Sequence, residues 1–126
     1  MIRVFLVEDL TKTQSLMEDL FRSLGGFRVE GAARTEAEAK LWLEEHRGGW
    51  DIAVVDLVLE QGSGLGVIER CRSSWPQGKV VVFSSYATPG VSRHCRKLGA
   101  DAVFDKGEPG AFVAWCADQG PPAAQG

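Results

Sequence analysis

The sequence predicts an α/β fold, a single doubly wound sheet of five parallel strands with helices on both faces. Three observations carry this. Short apolar runs rich in β-branched residues, such as Ile52-Ala53-Val54-Val55 and Val80-Val81-Val82-Phe83, have the character of strands buried on both faces. These runs alternate with segments whose apolar residues recur at helical spacing, long enough to serve as the crossovers that join parallel strands. Four of the runs end in an acid, a hydroxyl or a lysine, at the carboxyl ends where open parallel sheets place their ligand sites.

Composition fits one domain. The chain has 126 residues, 44% hydrophobic and 25% charged, with no internal repeat or linker. Its net charge of −3 argues against a general attraction to nucleic acid. No run approaches the ~18 apolar residues of a membrane span, and Met1-Ile2-Arg3-Val4 lacks a signal-peptide layout, so no membrane association and a cytoplasmic location are expected. Cys71, Cys95 and Cys116 are widely spaced and odd in number, which predicts reduced packing thiols. His46 and His94 have no nearby Cys or His with which to hold zinc.

In chain order, Ile2 to Val7 is the first strand, ending in Glu8-Asp9. Thr11 and Gln14 have capping-box spacing, and Leu16, Met17, Leu20, Phe21 and Leu24 form the apolar stripe of a helix stopped by Gly25-Gly26. Phe27 to Ala33 is a second, short strand. Thr35 with Glu38 is another capping box, opening a helix through about His46 that Gly48-Gly49 closes. The third strand ends at Asp56. Leu65, Ile68 and Cys71 make the apolar face of the next helix, and Pro76-Gln77-Gly78 turns into the fourth strand, Lys79 to Ser84. Thr88-Pro89 marks a helix start, with Thr as cap and Pro at the first helical position; Val91, Cys95 and Leu98 face inward. Asp101 to Phe104 is a brief fifth strand before Asp105-Lys106. A last short helix runs from about Pro109 to Ala117, and residues 118–126 are expected to form a disordered tail.

A parallel sheet points its strand ends the same way, so Glu8, Asp9, Asp56, Ser84 and Lys106 are expected on one rim. Three carboxylates in one crevice repel each other and require counter-charge. Lys106 supplies one positive charge, and a hard divalent cation such as Mg²⁺ suits carboxylate oxygens and water. A carboxylate beside Mg²⁺, a lysine and a hydroxyl is the equipment of phosphoryl transfer.

With these residues in place, the chain over residues 1–117 resembles the receiver domain of bacterial two-component response regulators. The resemblance implies a flavodoxin-like strand order, 2-1-3-4-5. It implies that Asp56 is the phosphoacceptor, that Ser84 and Lys106 contact the incoming phosphoryl oxygens, and that Mg²⁺ is held by Asp9, Asp56 and the backbone carbonyl of Val58, with Glu8 acting through water. A histidine kinase or phosphotransfer protein would be the donor. Output would travel by protein contact to an unknown downstream partner, or through a homodimer made by the fourth and fifth helices, without direct nucleic-acid binding. Such a protein promotes phosphorylation and dephosphorylation of its own aspartate and is not an enzyme in the ordinary sense.

The sequence departs from that family at three points. Glu60 stands where many receivers have Pro. Val103 stands where the family usually has a switching Tyr or Phe, while Phe104 should face the opposite side. Only 20 residues follow Lys106, which resembles a stand-alone receiver. Tyr86, two residues past Ser84, either supplies the ring that Val103 lacks or is a static loop residue. Other readings are weaker. A haloacid-dehalogenase-like phosphatase generally has a second Asp at the position of Val58. The run Gly62-Ser63-Gly64-Leu65-Gly66 is G-x-G-x-G, not the dinucleotide pattern G-x-G-x-x-G. A receiver-like module that is never phosphorylated would not need the full set of acids, Ser and Lys.

Overall fold

The computed structural model describes residues 1–120. Strands and helices alternate throughout: β1 (Ile2–Val7), α1 (Thr11–Leu24), β2 (Phe27–Ala33), α2 (Glu36–Glu45), β3 (Ile52–Val55), α3 (Gly64–Ser74), β4 (Lys79–Ser84), α4 (Pro89–Leu98), β5 (Ala102–Asp105) and α5 (Pro109–Gln119). The five strands form one sheet in the order β2-β1-β3-β4-β5, with every pairing parallel. This is the predicted flavodoxin-like, doubly wound arrangement.

Strand alternation divides the core into two layers. Phe5, Val7, Ala53, Val55, Val80 and Val82 point toward α2, α3 and α4, where Leu43, Ile68, Cys71 and Cys95 meet them. Val4, Leu6, Ile52, Val54, Val81 and Phe83 point toward α1 and α5, against Met17, Phe21, Phe112 and Cys116. β3 is buried at all four positions because it lies in the middle of the sheet with helices over both faces. The three cysteines are free, buried thiols, as expected, and burial pushes Cys71 and Cys116 up to about 12.

Several local expectations need correction. Thr11 does not cap α1: Leu10 occupies that position with no side-chain cap, and Gln14 Nε2 instead donates to the Glu8 carbonyl oxygen at 2.6 Å. The short turn from β1 brings Glu8 within reach and wins the amide. Leu16 leaves the apolar stripe and is 60% exposed, while Met17 and Phe21 bury. On α3, Val67 joins Ile68 and Cys71 in the core and Leu65 sits at its edge. Thr35 and Thr88 do cap α2 and α4, accepting from the backbone N–H of Glu38 and Val91. α5 continues through Asp118 and Gln119, so the expected tail does not begin at 118; residues 121–126 lie outside the described residues.

Candidate functional site

The sheet gathers the rim residues as the topology requires. Val7, Val55 and Val82 stand side by side in the register of β1, β3 and β4. The residues just past them therefore emerge together: Glu8 and Asp9 after β1, Asp56 after β3. Ser84 ends β4 opposite Asp105 of β5, and Lys106 follows at once. Backbone bonds continue the ladder into the site, from Asp56 N–H to the Val7 carbonyl at 3.0 Å and from Lys106 N–H to the Ser84 carbonyl at 3.1 Å. The reactive side chains thus stand on extensions of the sheet, which fixes their positions better than free loops would.

Lys106 lies at the centre of the cluster. Its Nζ donates to Glu8 Oε1 at 2.7 Å and to Asp56 Oδ2 at 2.9 Å. Glu8 and Asp56 are buried, at 3% and 8% exposure, while Asp9 is half-buried. Glu8, Asp9 and Asp56 each offer a carboxylate oxygen within 4.8 Å of the others. Three such oxygens match what a small, hard cation takes, and one ammonium does not neutralise three carboxylates. The residues present therefore fit Mg²⁺.

Burial pushes the Glu8 carboxyl above its usual range; the Lys106 ammonium opposes that shift without cancelling it. For Lys106, burial works against the charged form, but the hydrogen bonds it donates to Glu8 and Asp56 outweigh it and the ammonium is held above its ordinary value. Ser84 is fully buried, and its Oγ accepts the Tyr86 N–H at 3.2 Å. Val58 follows Asp56 by two residues; its N–H lies 3.5 Å from Asp56 Oδ1, and it forms an isolated antiparallel bridge with Ser63.

Residues 4–112 match the profile of the response regulator receiver domain. The chain belongs to that family. The receiver is 26% identical over 85 residues to the transcriptional regulatory protein CitT of Bacillus subtilis, covering 68% of this chain and 37% of that protein. It is 41% identical over 54 residues to the photosynthetic apparatus regulatory protein RegA of Rhodovulum sulfidophilum, covering 43% of this chain and 30% of that one. The receiver spans less than half the length of both relatives. Its fold matches the response regulator domain of Thermotoga maritima CheB with a TM-score of 0.81 at 18% identity, over 94% of this chain and 95% of that one. It also matches a chain of the CheX–CheY–BeF3–Mg²⁺ complex of Borrelia burgdorferi with a TM-score of 0.77 at 20% identity, over 82% and 77% of the two chains.

Two features of the receiver site escape sequence reasoning. Gln14 and the Leu10 N–H brace Glu8, the latter donating to its Oε2 at 3.3 Å. Glu36, 27 residues away in sequence, holds the loop after Asp56 through Ser63. The glycines at 62 and 66 were its trace in the sequence: a side chain at either would collide with Glu36. The nucleotide-loop reading of these glycines has no support in their packing.

Proposed function

We propose that this receiver accepts a phosphoryl group on Asp56 and carries it as a two-component signal. The observation that carries the reading is the placement of Lys106 between Glu8 and Asp56, with Asp9 beside them, at the carboxyl ends of central strands. A Mg²⁺ ion would be held by Asp9, Asp56 and the Val58 carbonyl, with Glu8 reached through water, and would neutralise charge on the phosphoryl oxygens. Among the solved relatives, a response regulator from Burkholderia pseudomallei carries a phosphorylated aspartic acid and a calcium ion.

In the reaction, a carboxylate oxygen of Asp56 attacks phosphorus in line. The new oxygen–phosphorus bond forms as the bond between phosphorus and the donor breaks. Lys106, already within 2.9 Å of Asp56, stays in reach to donate to a phosphoryl oxygen once the carboxylate has become an acyl phosphate. Ser84 uses a lone pair for the Tyr86 N–H, which leaves its own O–H to donate to a second phosphoryl oxygen. The donor is a histidine kinase or phosphotransfer protein in the same cytoplasmic compartment. We assign its docking to the apolar groove between α1 and α5, where Leu16, Met17, Leu20 and Phe112 lead to Lys106. Output falls to α4 and α5, through the exposed Arg93, Arg96 and Lys97 and the half-buried Trp115, toward a downstream protein or a second copy.

Intact-mass measurement with Mg²⁺ and acetyl phosphate tests this. Wild type gains the mass of one phosphoryl group, and neither Asp56→Asn nor wild type in excess chelator does. A gain that persists in Asp56→Asn sinks the assignment, and one that persists with chelator sinks the metal.

A further inference from the structure

The turn from β2 to α2 and the loop after Asp56 are fastened together. The Glu36 N–H donates to the Gln61 carbonyl at 3.1 Å, and Glu36 Oε1 accepts the Ser63 N–H at 2.8 Å. Lys40, one turn along α2, pairs with the other carboxylate oxygen. The hydrogen bond from Lys40, then that from the Ser63 backbone, holds the Glu36 carboxyl below its usual range. Arg34 and Glu60 add a more exposed ion pair at 3.6 Å.

The fit is steric as well as polar. A Cβ on Gly62 would collide with Glu36 Cβ, and one on Gly66 would collide with Glu36 Oε2. Gly62 also has φ +83, a left-handed conformation that glycine adopts at little cost. On its far side, the held segment reaches the phosphorylation site: Ser63 bridges Val58, and the Gly64 N–H donates to the Leu57 carbonyl at 3.0 Å. A continuous path of short contacts therefore runs from the Glu36 carboxylate through Ser63 to Val58.

We propose that Glu36 is a positioning residue for the metal, fixing the loop so that the Val58 carbonyl is presented beside Asp9 and Asp56. The inference rests on the metal reading given above. Position 60 is Glu, and no proline ring fixes the backbone of this loop from within. The clasp from α2 supplies the stiffness from outside. A loop that must be ordered when the ion arrives binds it more weakly than one already in place.

The experiment is calorimetric titration of the full chain with MgCl₂, with hydrogen exchange of the Ser63 amide measured before metal is added. Glu36→Ala removes the acceptor; Gly66→Ala keeps the carboxylate but takes its space, and helps the helix intrinsically. Both are expected to bind Mg²⁺ about tenfold more weakly than wild type, the size typical of losing a residue that orients a ligand, with faster exchange at Ser63. Glu36→Gln retains an oxygen that can accept the Ser63 N–H and is expected to stay within about twofold of wild type. Asp9→Asn serves as the control for a lost ligand. Wild-type binding in Glu36→Ala and Gly66→Ala, with Asp9→Asn weakened, overturns the clasp and leaves the metal reading intact. Failure of Glu36→Gln to restore binding overturns it too, by placing the effect on charge instead of the hydrogen bond. Absence of Mg²⁺ binding in wild type overturns the metal reading, and the clasp with it.

Discussion

At the scale of single residues, the site is a balance between crowded carboxylates and one ammonium. Asp9 is the carboxylate that Lys106 does not touch, so without metal it contributes repulsion and little else. Asp9→Asn should stabilise the metal-free protein by ~1 kcal/mol, the value of removing one like-charge neighbour at an intermediate effective dielectric. Urea denaturation in chelator checks this, and a less stable variant would count against it. Lys106→Met acts in the opposite sense by stranding Glu8 and Asp56. Burial already raises the Glu8 carboxyl, and loss of the ammonium raises it further. A raised folded-state value means stability that is complete below the ordinary value of 4.5 and is lost as pH rises through the folded value. The variant should therefore be weaker than wild type by about 2 kcal/mol at pH 8, with the deficit shrinking as pH falls toward 4.5. A pH-independent deficit would show that Lys106 contributes packing, not charge.

At the scale of elements, the loop between β4 and α4 joins Ser84 to the helix proposed above to carry output. Val103 packs against the α3–α4 layer and Phe104 against the α1–α5 layer, so the aromatic on β5 faces away from the surface a receiver usually switches. Tyr86 stands 60% exposed in the loop, with its N–H bonded to Ser84 Oγ. If Ser84 turns toward a phosphoryl oxygen, that bond draws the Tyr86 backbone with it, and the ring gains apolar area to bury. Tyr86→Ala should then be phosphorylated normally, yet fail to show the change in α4 amide exchange that phosphorylation produces in wild type. An unchanged response assigns the ring no part in switching.

The same elements show what the sequence can and cannot reveal. Strand positions were legible because β1, β3 and β4 are buried on both faces and leave unbroken apolar runs. The rim was legible because a parallel sheet admits no other direction for its strand ends. The Thr35 and Thr88 caps depend only on neighbours three residues away, and they held. Thr11 does not cap because the helix begins one residue earlier: the Gln14 backbone N–H that its hydroxyl would accept goes to the Leu10 carbonyl at 2.9 Å, and the Gln14 side-chain amide turns to the Glu8 carbonyl. Glu36 was invisible as a positioning group because its partner, Ser63, is brought to it only by the packing of α2 against the β3–α3 loop.

At the scale of the whole molecule, the proposed phosphoacceptor site and the proposed donor-docking groove adjoin. The α1–α5 groove opens beside Lys106, and Leu16 at its edge is 60% exposed. Leu16→Glu should slow phosphoryl transfer from a protein donor by about tenfold or more, the loss of a central apolar contact at an interface, while leaving labelling by acetyl phosphate unchanged. Equal slowing with both donors would place Leu16 in the fold and not in the interface.

Everything proposed for the site turns on one carboxylate, Asp56, becoming the acyl phosphate. Reductive trapping tests it most directly: the Mg²⁺- and acetyl-phosphate-treated protein is reduced with borohydride, which converts an aspartyl phosphate to homoserine, and its peptides are mapped by mass spectrometry. With Asp56 as the phosphoacceptor, homoserine is expected at position 56 and at no other. Conversion at Asp9, or none anywhere in a protein that has gained phosphate, would contradict it.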